Sequence, residues 1–152
     1  MCTYNLLSVT SFTDFLKDML NLKLEYSHPH NRPLPLSVDI PYLRHPTFLA
    51  PWVLTENFLQ YVEESVTFMY KNREVSTWLP MATKGFFDYE IHRMERLYRV
   101  VNEHMGVNKP NNIEERKNLY KFINEYDKRR GTNFAETFPE LQGFMYFCGD
   151  TK

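Results

Sequence analysis

Only two short stretches of this chain carry strand patterning, whereas the residues beyond Thr55 repeat their apolar positions at helical spacing. The first stretch, Cys2–Val9, reads C-T-Y-N-L-L-S-V, an apolar run with β-branched ends. In the second, Leu36, Val38 and Ile40 alternate with Ser37 and Asp39 until Pro41 ends the run. Between them Phe12, Phe15, Leu16, Met19, Leu20 and Leu24 predict an amphipathic helix over Phe12–Tyr26, with Ser11 as its cap and Asp14 three residues on. If the two strands are parallel, this helix is the crossover of a βαβ unit. The spacing thus predicts an α/β fold of two strands flanking a helix over residues 1–54, and a helical C-terminal subdomain over 55–152. A parallel sheet needs both faces covered and more than two strands. The expectation is therefore that the chain is the later part of a larger α/β protein.

Ser27–Pro35 holds three prolines and reads as a connecting loop, and Tyr42–Val53 is an irregular apolar segment spaced by Pro46 and Pro51. Thr55 is placed to cap a second helix buried through Phe58, Leu59, Val62, Val66 and Met69. Asn72–Gly85, with Trp78 and Pro80, reads as a loop. A third helix over Phe87–Met105 has an apolar seam at Phe87, Ile91, Met94, Tyr98, Val101 and Met105, with Gly106 at its C′ position. Asn111 or Asn112 caps a fourth helix that packs through Leu119, Phe122, Ile123 and Tyr126 and stops at Gly131. Thr137 and Glu140 form a capping box for a last helix with Leu141, Phe144, Met145 and Cys148 on its apolar face.

The charge balance narrows the function classes. Eighteen Lys and Arg stand against 19 Asp and Glu, for a net charge of −1, which argues against a strongly basic nucleic-acid binder. Two cysteines, Cys2 and Cys148, form no C-x-x-C pair and cannot alone fill a zinc or iron–sulfur site. A reducing, cytoplasmic setting is the default for such a chain. No run of about 18 apolar residues and no basic n-region are present, so neither a membrane span nor a signal peptide is expected. Glycine-rich dinucleotide and P-loop motifs, the H-E-x-x-H zinc motif and the G-x-S-x-G elbow are all missing.

The residues that could carry chemistry cluster near the predicted strand ends. Asp39, Arg44 and His45 fall at or just after the end of the second strand, and Asn5 and Ser8 occupy the matching zone of the first. Ligands of parallel α/β sheets bind at that edge, so these five residues are the candidate cofactor- and substrate-binding set. Asn5 and Ser8 offer hydrogen bonds to amino-acid or ribose groups, Arg44 offers a partner for a carboxylate that Asp39 could orient, and His45 a proton carrier. Strand-end hydrogen bonding and a loop salt bridge are the plainer explanation of the same residues. The His28-Pro-His30 pair lacks a third ligand and reads as solvated loop. Arg93, Arg96 and Arg99 with His92 alternate with Glu90, Glu95 and Glu103, the pattern of a solvated helix face rather than a phosphate site. Arg129 and Arg130 suit a helix C-terminus.

Glu125–Leu141 reads E-Y-D-K-R-R-G-T-N-F-A-E-T-F-P-E-L, followed by F-M-Y-F-C. This tail resembles that of radical S-adenosylmethionine proteins of the twitch-domain type. V-D-I-P-Y-L-R-H-P-T-F-L-A-P-W-V-L, Val38–Leu54, resembles their late barrel strand and following loop, and G-F-F-D-Y-E-I-H-R-M-E-R-L, Gly85–Leu97, their helical extension. The resemblance implies an incomplete parallel β/α barrel portion followed by a helical extension. It also implies a [4Fe-4S] cluster and S-adenosylmethionine in the intact parent protein. Such clusters are held by a C-x₃-C-x₂-C motif that this chain lacks, so the resemblance places the cluster motif and the N-terminal barrel half outside the chain, which alone is expected to hold no cofactor or metal and to be inactive. The alternative is a stand-alone α-rich interaction module with an aromatic partner-binding surface; aromatic residues are 16% of the chain.

Overall fold

Helices make up 74% of the residues described by the computed structural model, which covers 3–26, 36–74, 85–106 and 109–150. Six α-helices follow in order: α1 Phe12–Tyr26, α2 Leu59–Lys71, α3 Asp88–His104, α4 Pro110–Arg130, α5 Phe134–Thr137 and α6 Gln142–Asp150. Single 3-10 turns at Leu6–Ser8, Thr47–Leu49, Pro51–Val53, Glu56–Phe58 and Pro139–Leu141 punctuate the connections. Helix α2 packs on both α1 and α3, and α6 packs on α4. The turn Pro51–Val53 touches α3 and α4, so the segment through Ala50, Val53 and Leu54, all fully buried, wedges the two groups of helices together.

No β-strand forms among the described residues, and the expected α/β fold with a barrel portion is corrected to an all-α one. The first expected strand pairs only at Tyr4, and not with the second: its single parallel bridge is to Tyr42, beyond the Pro41 that ends the second stretch. Tyr4 N–H donates to the Pro41 carbonyl (2.7 Å) and Leu43 N–H to the Tyr4 carbonyl (2.8 Å). Short polar side chains stop the first strand. Asn5 Oδ1 accepts from Leu7 N–H (2.8 Å) and Ser8 Oγ accepts from Asn5 N–H (2.9 Å), a local box that curls Leu6–Ser8 into a 3-10 turn. Tyr4, Leu6, Val9, Val38 and Ile40 of the two stretches are nonetheless core, buried against helices instead of in a sheet, whereas Leu36 is exposed.

The helices start and stop for identifiable reasons. Phe12 and Leu16 bury the α1 stripe, and Ile91, Met94, Leu97 and Val101 that of α3. Gly131 closes α4 at φ 65°, its N–H donating to the Asp127 carbonyl (2.8 Å), a conformation that glycine adopts without Cβ strain. Four expected caps differ. Thr55 makes no side-chain cap bond and precedes the 3-10 turn Glu56–Phe58, so α2 starts only at Leu59. Gly106 takes no left-handed conformation; α3 ends at His104 and is followed by an extended Met105 whose N–H donates to the Val101 carbonyl. Helix α4 starts at Pro110, and Asn112 inside its first turn instead donates to the His104 carbonyl (2.9 Å), completing the end of α3. The Thr137–Glu140 box is replaced by Asn133, whose Oδ1 accepts from Ala135 N–H (3.1 Å) at the start of α5.

The connection from α2 to α3 is pinned at its ends. Phe86 N–H donates to the Asn72 carbonyl and Glu74 N–H to the Phe86 carbonyl, both 2.8 Å. Gly85 fits there because a Cβ would lie 2.3 Å from the Asn72 carbonyl oxygen. Trp78, Pro80, the His28–His30 pair and Cys2 lie outside the described residues.

Candidate functional site

Beside the extended segment 36–42, the flank of α3 forms a groove of about 350 Å³ whose polar walls are Asp39, Tyr42, Arg44, Arg93 and Arg96, with Leu97 at its base. The segment supplies its residues because Val38 and Ile40 are anchored in the core, which leaves Asp39 between them exposed. Arg93 Nη1 donates to Asp39 Oδ1 and ties the segment to α3. Arg44 donates from Nη2 to the Tyr42 hydroxyl (2.8 Å), its guanidinium 5.0 Å from the centre of that ring. The Tyr42 ring in turn meets Trp52 edge-on at 5.8 Å, and Trp52 lies 5.6 Å from the His104 ring.

Of the five residues singled out in the sequence, Asp39 and Arg44 share this groove. Asn5 and Ser8 bond to each other and to their own backbone. His45 is exposed, precedes Pro46 and does not line the groove. Arg93, Arg96 and Tyr42 complete the site and were not among the five. Their i,i+3 spacing and the Arg93–Leu97 i,i+4 relation place the two arginines on one flank of α3. Nothing local indicates that Asp39, 54 positions away, would lie opposite.

A second region is polar but closed. Lys23 and Glu90, both fully buried, pair at 2.7 Å between α1 and α3. The carboxylate also accepts from the backbone N–H of Val38 and of Phe87, and the ammonium donates to the Gly85 carbonyl (3.3 Å) and lies 4.7 Å from the Phe87 ring centre. Four segments therefore meet on one carboxylate and its cation. Arg116, also fully buried, donates to the Val53 (2.8 Å), Leu54 (3.3 Å) and Gly106 (3.2 Å) carbonyls. Burial holds its guanidinium below the ordinary arginine range, against the pull of Cys148 and Glu56. Neither node opens to a ligand.

The described residues do not fit an iron–sulfur cluster. No three His, Cys, Asp or Glu side chains among them gather as metal ligands. The Cys148 thiol is buried, and burial pushes its pKa up to about 12 although Arg116 pulls it down. It stays protonated at neutral pH, whereas cluster ligation requires the thiolate. The net positive groove is likewise the wrong sign for the sulfonium of S-adenosylmethionine. Among the described residues no helix is long and apolar enough to cross a membrane. No family model, curated protein or solved structure matches the chain.

Proposed function

We propose that the chain serves as the helical C-terminal part of a radical S-adenosylmethionine protein, with the cluster and the cofactor held outside it and the Asp39–Arg44–Arg93–Arg96 groove contributing to substrate binding. The observation that carries this reading is the tail through which the sequence resembles that family. Its polar residues form one connected cap. Asp127 accepts from the Thr132 hydroxyl (2.7 Å) and from Phe134 N–H (2.9 Å), Gly131 makes the left-handed turn between them, and Asn133 starts α5.

The test is the coding sequence on the 5′ side of Met1 and what it encodes. An in-frame or adjacent C-x₃-C-x₂-C polypeptide, expressed with this chain and reconstituted anaerobically, should bind a [4Fe-4S] cluster and cleave S-adenosylmethionine, while this chain alone binds no stoichiometric iron. Absence of any such polypeptide, or a cluster held by this chain alone, overturns the proposal.

A second reading, a stand-alone interaction module, is favoured by the aromatic residues left in solvent on α4 and α6. Tyr146 is 67% exposed, Tyr126 46% and Phe122 43%. A coding sequence without a cysteine-motif neighbour would select it.

A further inference from the structure

The charges of α3 divide into two groups. Three of its four acids are engaged elsewhere: Glu90 with Lys23, Asp88 with Arg73, and Glu95 with the Tyr70 hydroxyl. Arg93 and Arg96 instead stand with Arg44 around the groove, where three guanidiniums face one carboxylate, Asp39, for a net charge of +2. Asp39 is held by Arg93. Arg44 is set against the Tyr42 ring and gives one of its N–H groups to the hydroxyl, so its plane is fixed while other donors remain. Arg96 is exposed and joins no ion pair among the described residues. A guanidinium offers five donors in a planar fork that matches tetrahedral oxyanions.

We propose that this groove is a binding site for a phosphoryl dianion, carried either by free phosphate or by a small phosphate monoester. A monoester above its second pKa of about 6 has a charge near −2, which matches the groove, whereas a monocarboxylate would neutralise half of it. The volume of about 350 Å³ accommodates the phosphoryl group and a modest substituent against Leu97. This rests on the substrate-binding role given to the groove above and names its ligand class; the test uses this chain alone, so its failure is distinct from a failure of the cluster reading.

The experiment is a titration of the full chain at about 0.15 M ionic strength, where charges outside the groove are screened, with inorganic phosphate, phenyl phosphate and acetate, followed by the arginine Nε–H signals in NMR. Saturable shifts with both phosphates, and about tenfold weaker binding of acetate, are expected. Tighter binding of phenyl phosphate than of phosphate identifies the monoester as the source, and equal or weaker binding identifies the free ion. Arg96→Ala should weaken phosphate about tenfold. Arg99→Ala removes the same charge from α3 outside the groove and should change it by less than about twofold. Far-UV circular dichroism of both variants checks that the helices persist. Shifts that do not saturate, acetate binding as tightly as phosphate, or equal losses in the two variants would overturn the site.

Discussion

Lys23 and Arg116 are both cations with no exposed surface, yet they are accommodated in opposite ways. Lys23 meets a carboxylate, and that carboxylate also closes two backbone N–H groups, so charge and hydrogen bonding are settled together. Arg116 spreads its fork over the carbonyls of Val53, Leu54 and Gly106, so it chiefly satisfies acceptors at the ends of other elements. The first node joins α1 to α3 and the second joins α4 to the wedge before α2. The difference teaches that a buried ion pair and a buried hydrogen-bond hub fail differently: removing one side of the pair strands a charge, while removing the hub strands neutral carbonyls.

The largest effect should come from Glu90→Ala. It leaves the Lys23 ammonium without its carboxylate, and the buried Val38 N–H and part-buried Phe87 N–H without an acceptor, a loss of about 3–5 kcal/mol in urea unfolding. Lys23→Met combined with Glu90→Leu should recover part of this but not all, because Val38 and Phe87 N–H remain unsatisfied; full recovery would show that the pair alone matters. Arg116→Met should cost less, about 2–3 kcal/mol, since the stranded groups are neutral and the methionine keeps the packing under Phe147. If it costs more than Glu90→Ala, the contrast between the nodes is wrong.

Alkaline pH separates the nodes further. The folded Cys148 thiol, beside Arg116, has a pKa raised from an ordinary 9.0 to about 12. The folded state therefore binds the proton more tightly than the unfolded state. The resulting stability is fully present below pH 9.0 and is lost as pH rises from there towards 12. By pH 10 the loss should be about 1 kcal/mol in chemical denaturation, and Cys148→Ala should flatten that slope. A slope unchanged by Cys148→Ala would remove the thiol from the account. The smallest effect is expected at Tyr4, whose buried hydroxyl has no partner. Tyr4→Phe should stabilise by up to about 1 kcal/mol, since it deletes an unsatisfied polar group and keeps the 4.6 Å edge contact with Phe12. A loss of stability would mean that the hydroxyl is satisfied after all.

The regular helices were legible, and their polar insertions were not. Phe12–Tyr26 has the bounds that its apolar spacing predicts, and Gly131 stops α4 as expected. Yet three helices carry a charged residue at a buried stripe position. Lys23 continues Phe12 and Leu16, Glu90 leads Met94, Leu97 and Val101 by four, seven and eleven, and Arg116 precedes Leu119 and Ile123 by three and seven. Read by residue type, Glu90 belonged to a solvated face; read by phase, it belonged to the core. Conversely Leu24, Phe122 and Tyr126 were assigned to apolar faces and are 49%, 43% and 46% exposed. The strands failed for a different reason. Alternation in 36–40 reports that one face is buried, and helices bury that face here as well as a sheet would. In the groove, Asp39 and Arg44 are near in sequence, but their meeting with Arg93 and Arg96 depends on the long-range anchoring of Val38 by Glu90, which no local pattern contains.

The clamp formed by Asn72, Glu74, Gly85 and Phe86 has a consequence for chain connectivity. Two hydrogen bonds hold the two ends of the α2–α3 connection side by side, so the helices do not depend on the length of chain that joins them. The entropy of closing such a connection grows only with the logarithm of its length, about 0.6 kcal/mol for each doubling. Lengthening the chain between Glu74 and Gly85 should therefore cost little in closure entropy while the clamp keeps the register of α2 against α3.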